Sequence, residues 1–376
     1  MSTPHVDSLR KTRTSLEKTC DKAIGLPSAS YREEDYFNLE KKAIFNKRWL
    51  SIGFASDVPN TGDVWPIEIL GKNLFIIRDG NKVRVFHNFC PHRGTLLVRG
   101  KEKDIKQFIC PYHSWSFDLN GRLIIATHNK DCNKTDFHLN EVRSAIWNDV
   151  IFINFSADAP NLNKAIEPLN QRWKYFDFSQ LHPGGEMTYD FPANWKLITE
   201  NFLESYHVPS VHPRLATYSK SSNRYPIFFN QEFLGQGSRV YKPEVTEYEL
   251  PRWPGVSGEL EFQAEYIAIF PNTLVGRMPE HVFIWTVTPL SAQRTIERLK
   301  FYFIGNDATH SRFAKDREAT LKRWKDVNDE DCEIVSLIHA GNSSEAFSGV
   351  RFVPEHEKTI YLFQNLVLKE ILDCVE

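Results

Sequence analysis

Apolar positions change their spacing along this chain, and each change marks a new kind of element. From about 8 to 24 they recur at helical intervals and stop at Gly25, and the charge-rich stretch 32–48 continues a mixed helical pattern. From Trp49 to about Phe155 short apolar runs alternate with turn signals. "NLFIIRDGNKVRVFHNF" places Asp79-Gly80 between two runs, and "WSFDLNGRLII" repeats the device with Asn120-Gly121, so both predict hairpins within a small all-β domain. A polar, proline-containing stretch, "SADAPNLNKAIEPLN", reads as a connection. In "ANWKLITENFLESYHV" Trp195, Ile198 and Phe202 fall on one helical stripe that Leu203 and Tyr206 extend. Residues from about 213 to 260 read as loops. Strand-like runs follow in "FQAEYIAIFPNTLVGR", "HVFIWTVTPL" and "ERLKFYFIG", and helices are expected at about 308–326, 329–340 and 355–373. A sheet with long helices makes the second half an α+β domain.

Composition narrows the class without naming it. The 376 residues fit two domains. Forty-six basic and 48 acidic residues leave a formal net charge of −2, which implies no nucleic-acid partner. Six cysteines, at 20, 90, 110, 132, 332 and 374, are too sparse for a disulfide scaffold. No apolar run reaches the length of a membrane span, and the N-terminal stretch lacks the apolar core of a secretory signal, so the expected location is the cytoplasm. Aromatic residues make up 13% of the chain, enough to wall a pocket as well as fill a core.

Two short stretches carry a repeated chemistry: "FCPHRG" at 89–94 and "CPYHSW" at 110–115. They place Cys90, His92, Cys110 and His113 at the ends of predicted hairpins, where two loops of one β domain can converge. Two thiolates and two imidazoles suit zinc or an iron–sulfur cluster. Zinc ribbons usually bind through C-x-x-C knuckles, which favours the Rieske [2Fe–2S] centre, with cysteines on one iron and histidines on the other. Thr95 and Tyr112 stand where respiratory Rieske proteins carry the cysteines of a bracing disulfide, so the pattern is of the ferredoxin and oxygenase type.

A second group lies in "NFLESYHVPSVHP". Glu204 and His207, three apart, are expected on one helix face. His207 and His212 would diverge by about 140° on a continuous helix, but Pro209 disfavours helix before it and lets His212 turn back. Two such histidines make half of a 2-His-1-carboxylate site for non-haem Fe(II). The carboxylate is best supplied by Asp331 in "DVNDEDCEIVSLIHAGN", on a helix that Asn328 caps and Gly341 stops. Asp329, Glu330 and Glu333 are its alternatives, and Glu204 itself is another.

Together "CPHRG", "CPYHSW", "NWKLITENFLESYHVPSVHP" and "VPEHEKTIYLFQNLV" resemble, in order and spacing, the large subunit of Rieske non-haem iron oxygenases, the aromatic ring-hydroxylating oxygenases. The resemblance implies an all-β Rieske domain over 36–158 and a helix-grip, START-like catalytic domain over 159–376, with helix 1–35 packing on the latter. It implies a [2Fe–2S] cluster on Cys90, His92, Cys110 and His113, and Fe(II) on His207, His212 and Asp331. O₂ is the implied co-substrate. Electrons come from NAD(P)H through a flavin/iron–sulfur reductase or a ferredoxin. It further implies a ring-shaped homotrimer, in which Glu204 matches the carboxylate that links an iron histidine to a cluster histidine of the neighbouring subunit. Asn201 matches a family asparagine near the iron loosely. Most ring-hydroxylating members carry aspartate at the bridge; glutamate there is similar to the choline, carnitine and glycine betaine monooxygenases. The implied reaction is hydroxylation of a small quaternary ammonium compound, leading to demethylation or C–N cleavage, with an aromatic or other small molecule as the alternative. An electron-transfer Rieske protein or a zinc-stabilised binding protein would differ in iron content and colour. Phe202, Tyr206, Tyr266, Phe283 and Trp285 are the candidate walls of a cation–π cage.

Overall fold

The computed structural model describes residues 4–129, 131, 133–344 and 346–375, which divide into two compact units. One is the contiguous segment Lys47–Asn163; the other is built from Met1–Asn46 together with Lys164–Glu376. The divisions therefore fall at 46/47 and 163/164, where the sequence placed them at 35/36 and 158/159. The reason is packing. Phe37 and Phe45 meet edge to face, Phe45 stands 5.1 Å from Trp195, and Trp195 is 5.7 Å from Phe363, so residues 34–45 belong to the larger core.

The contiguous unit is all-β. Its six-stranded antiparallel sheet runs Leu50–Phe54, Val150–Asn154, Glu141–Trp147, Lys82–His87, Lys72–Asp79, Val64–Ile69 in spatial order. Gly80 closes the central hairpin at φ +57°, a conformation that costs a glycine little. A small three-stranded sheet, Phe108–Ile109, Ser116–Phe117 and Leu123–Ile125, carries the second Cys/His loop between its first two strands. Phe75, Phe86, Phe108, Trp115 and Phe117 form the core beneath both loops, and Cys90 and Cys110 are buried in it.

The larger unit has a seven-stranded antiparallel sheet ordered Leu181–Phe191, Arg294–Ile304, His281–Ser291, Thr273–Arg277, Ala264–Ile269, Phe233–Ser238, Arg224–Phe229. The first of these strands went unread: Met187, Tyr189 and Phe191 alternate with exposed Thr188 and Asp190, but its first half, with Gly184, Gly185 and a register shift after Pro183, breaks the pattern. The last two lie where the sequence suggested loops. Gly235 and Gly237 hide the Phe233–Ser238 strand: a Cβ on Gly235 would stand 1.9 Å from the Tyr266 carbonyl oxygen, so the close strand approach demands glycine and weakens the apolar signal, while Pro226 interrupts the run of the edge strand. The expected connection near 162 is instead a helix, Leu162–Arg172, with Pro168 inside it.

Two helix expectations also need correction. The helices predicted at 308–326 and 329–340 are largely one, Ala314–Gly341. Asn328 does not cap it; its buried amide donates to the Trp324 carbonyl oxygen one turn back, 2.8 Å away. The helix that begins at Trp195 ends at Leu203, with Glu204 already extended (φ −127°, ψ 169°). Its start is fixed by Asn194, whose side chain accepts from the Lys196 N–H at 3.0 Å. The helix Lys358–Val375 packs beside these elements, and Thr359 Oγ1 donates to the Leu203 carbonyl oxygen at 2.7 Å, tying the helix end just before Glu204.

Candidate metal centres and their cavity

In the β unit the two Cys/His loops close the same way. The Cys90 carbonyl oxygen accepts from Gly94 N–H at 2.8 Å and the Cys90 N–H donates to Thr95 O at 2.8 Å. The Cys110 carbonyl oxygen accepts from Ser114 N–H at 3.0 Å, and the Cys110 N–H donates to Trp115 O at 2.8 Å. Gly94 and Ser114 both take positive φ, +77° and +58°. Each loop thus turns its cysteine inward and its histidine outward. Cys90 and Cys110 are buried and free of any disulfide, His92 is exposed, and the His92 and His113 ring centroids are 4.8 Å apart. Trp115 stacks on His92 at 4.5 Å and Tyr112 on His113 at 3.8 Å, which hold the rings in place.

Two observations fit this set to a metal cluster. Burial, reinforced by the neighbouring Cys110 thiol, pushes the Cys90 thiol up to about 11, so only a cation makes it a thiolate at neutral pH. His113 Nδ1 is buried without a hydrogen-bond partner among the described residues. A buried ring nitrogen in that state is costly unless a ligand completes it.

In the larger unit His207, His212 and Asp331 offer one ligand atom each, all within 4.8 Å of one another. The expected shared helix face for Glu204 and His207 does not exist. The chain leaves the helix before Glu204, and His207 precedes a short second helix, Val208–Val211, in which Pro209 occupies a first-turn position. Glu204 still reaches His207, through the break: one carboxylate oxygen accepts from the Tyr206 and His207 N–H groups and the other meets His207 Nδ1. His212 Nδ1 meets Glu330 Oε2 at 2.6 Å, and its Nε2 faces Asp331 Oδ1 at 2.9 Å. His207 Nε2 lies 3.8 Å from the same Asp331 oxygen. Asn201 donates to that oxygen at 2.7 Å. Burial works against charge on His212, but Asp331 and Glu330 outweigh it and hold its pKa above the ordinary imidazole value. Three donors converge here with both outer ring nitrogens held by glutamates, the arrangement of a metal-ligating histidine pair. Asp331 lies well inside the long helix, not in its first turn, so the helix N-terminus does not explain it. Asp329 pairs with Lys325 and Tyr189 instead.

These three residues line one cavity. Of the residues singled out from the sequence, Asn201, Phe202, Tyr266, Phe283 and Trp285 line it. Tyr206 does not: it is exposed and stacks on His356 at 4.7 Å, because the break at Glu204 rotates it off the helical stripe. Trp324, also a wall, was missed. It lies two turns before Asp331 on the same helix face, and that spacing is the signal that could have found it.

Two family models match the chain: "Rieske [2Fe-2S] domain" over residues 48–140 and "Ring hydroxylating alpha subunit (catalytic domain)" over 178–372, just over half of the sequence. The chain belongs to the ring-hydroxylating alpha subunits. It is a Rieske oxygenase, an enzyme of the [2Fe–2S] and non-haem iron type. It is 24% identical to the glycine betaine monooxygenase oxygenase subunit of Pseudomonas aeruginosa, over 98% of this chain and 94% of that one. To the carnitine monooxygenase oxygenase subunit of Acinetobacter pittii it is 28% identical, over 92% and 95%. Its fold matches a quaternary ammonium Rieske monooxygenase crystallised with L-carnitine (TM-score 0.77, 24% identity, 95% of this chain and 98% of that one). It also matches naphthalene 1,2-dioxygenase from Rhodococcus sp. (TM-score 0.77, 19% identity, 99% of each). No described helix is long and apolar enough to cross a membrane.

Proposed function

We propose that this Rieske oxygenase hydroxylates a small quaternary ammonium compound of the betaine, choline or carnitine type, at a carbon near nitrogen, so that the product loses a methyl group or breaks a C–N bond. The cavity carries this reading. Besides His207, His212 and Asp331, five rings line it: Phe202, Tyr266, Phe283, Trp285 and Trp324. Phe283 lies 4.4 Å from Trp324 and 5.2 Å from Trp285, and Phe202 lies 5.2 Å from Trp285. Such faces attract a trimethylammonium cation without an ion pair. The named relatives, which act on glycine betaine and carnitine, support the same class.

The reading assigns His207, His212 and Asp331 to the mononuclear iron and Cys90, His92, Cys110 and His113 to the cluster. When bound, the two metal groups supply dioxygen activation and one-electron delivery, fed from NAD(P)H by a partner reductase. This chain's own residues position and exclude. The rings hold the methyl groups, while Val208, Leu215 and Val327 keep the cavity dry. Glu204 and Glu330 fix the two imidazoles, and Asn201 fixes the Asp331 carboxylate. The family resemblance further supports a homotrimer in which Glu204, already gripping His207, also serves the neighbouring subunit. The test is O₂ consumption and aldehyde release with a surrogate reductase, across betaines, carnitine, choline and aromatic acids. Coupled aldehyde release with quaternary amines alone is expected. Coupled hydroxylation of an aromatic acid, with none for the amines, would overturn the reading.

A further inference from the structure

Trp324 reaches the cavity from the helix Ala314–Gly341, and the residue that holds its indole lies outside the cavity. Along the strand His281–Ser291, positions 281, 283 and 285 share one face, because strand side chains alternate. Phe283 and Trp285 line the cavity, while His281, one step before them, does not. The His281 ring is fully buried among Tyr241, Phe283, Phe303 and Trp324, at centroid distances of 6.5, 6.4, 6.3 and 6.0 Å. The buried Trp324 Nε1–H donates to His281 Nε2 at 2.7 Å. An indole nitrogen only donates, so His281 Nε2 is the bare, accepting nitrogen, and the imidazole is neutral with its proton on Nδ1. Nδ1 faces Glu280 Oε1 at 3.6 Å, and neither atom has a hydrogen-bond partner among the described residues. That approach is too long for a hydrogen bond and acts electrostatically: the carboxylate favours the tautomer whose N–H points toward it. A buried imidazole among rings costs free energy that an apolar residue would not. What this one provides is an acceptor for a wall of the substrate cavity.

We infer that His281 is a positioning residue for substrate recognition: as a neutral acceptor steered by Glu280, it fixes the Trp324 indole in the cavity wall and sharpens the preference for a quaternary ammonium over an uncharged group of the same shape. This rests on the quaternary ammonium reading above and deepens it. Two effects add. The bond ties the helix that carries Asp331 to the strand that carries Phe283 and Trp285, so the rings keep one spacing. An accepted N–H also leaves the indole π-system richer in electrons, and it is that density which attracts a cation. An imidazolium at 281 would do neither, since it would set N–H against N–H and place a positive charge behind the wall.

Calorimetric titration of the metal-loaded full chain with two probe pairs tests it. Glycine betaine is paired with 3,3-dimethylbutanoate and choline with 3,3-dimethylbutan-1-ol, each twin carrying carbon in place of the quaternary nitrogen. In the wild type the cation of a pair is expected to bind at least about tenfold more tightly than its carbon twin. His281→Phe, which keeps a ring and removes the acceptor, is expected to bring that ratio below about threefold while the Kd of the carbon twin stays within about twofold. His281→Gln, whose amide oxygen can accept the indole N–H, should restore most of the preference. Trp324→Phe should lower the ratio by itself, and His281→Phe added to it should change the ratio by less than about twofold, because the histidine then has no indole to hold. An unchanged ratio in His281→Phe, or both members of a pair weakened alike, overturns the positioning role and leaves the quaternary ammonium reading intact. If His281→Phe yields no folded chain, an unchanged ratio in Trp324→Phe overturns it equally. Equal binding of cation and carbon twin by the wild type in both pairs sinks the quaternary ammonium reading, and the inference with it.

Discussion

Glu204 and Glu330 act on two histidines in the same way. Each carboxylate takes the Nδ1 side of a ring whose Nε2 side faces Asp331, so a proton kept on Nδ1 leaves the Nε2 lone pair for a metal. Their settings differ. Glu330 is half open to solvent, whereas Glu204 is buried and also accepts two backbone N–H bonds. Glu330→Ala, which removes the acceptor for His212 Nδ1–H, is therefore expected to lower iron affinity by about 10- to 100-fold, read by competition with a chelator, with little change in fold. Iron release as slow as in the wild type would show that Glu330 is mere surface. In Glu204→Gln the amide oxygen can still accept from His207, so iron should be retained while coupled turnover falls by at least about 10- to 100-fold. Full turnover with an active reductase would remove Glu204 from the machinery.

Between these residues lies the element that sets them: the helix Trp195–Leu203 and the break after it. Asn194 starts the helix by capping Lys196 N–H and also donates to the Ala292 carbonyl oxygen at 2.7 Å, fully buried. Asn194→Ala removes a cap and orphans a buried carbonyl, a loss of about 2–4 kcal/mol in a denaturant titration. Asn194→Ser, which keeps a neutral cap acceptor but not the amide donor, should fall between; a loss under about 0.5 kcal/mol for alanine would mean that packing alone sets the helix start. The two histidines were legible as a pair because they sit five residues apart with a proline between them, where spacing is geometry; the Asn194 cap went unread. The cluster loops were legible for the same reason. What was not legible was the place where the helix stops. Pro209 drew the eye, but the tie from Thr359 to the Leu203 carbonyl comes from 156 residues away. Of the strands at 224–238, the second was masked by Gly235, which lets the Tyr266 backbone approach, and that neighbour is invisible in a local window; in the first, Pro226 interrupts the apolar run.

Across the whole of the larger unit, two buried titrating groups pull stability in opposite directions. Burial holds the Glu200 carboxyl at about 7, although Tyr31 OH and Gln364 Nε2 donate to it at 2.8 and 3.0 Å. Its folded pKa exceeds the unfolded value of 4.5, so its contribution is full below pH 4.5 and is lost as pH rises through 7. Burial, aided by Arg32 and Lys196, lowers His339 from 6.5 to about 4, and neither ring nitrogen has a partner among the described residues. Its contribution is present above pH 6.5 and is lost as pH falls through 4. The two ramps nearly cancel between pH 4.5 and 6.5. Glu200→Gln should unmask the histidine, giving stability that climbs with pH across that window by on the order of 1–3 kcal/mol. His339→Leu should unmask the opposite slope, and parallel pH profiles for both variants and wild type would refute the assignment.

The β unit is one unbroken segment, while the larger unit is assembled from chain on both sides of it. On a ribosome, Lys47–Asn163 has left the tunnel before most of the larger sheet exists, so its Cys/His loops can close early. His212 must wait 119 residues for Asp331, and the Leu203 end of its helix waits 156 for Thr359. At roughly 5–20 residues per second that delay is several seconds to half a minute. Maturation is thereby ordered in time: a cell can furnish the cysteine-bearing loops during translation, whereas the His207, His212 and Asp331 pocket can accept its ion only after its second half arrives.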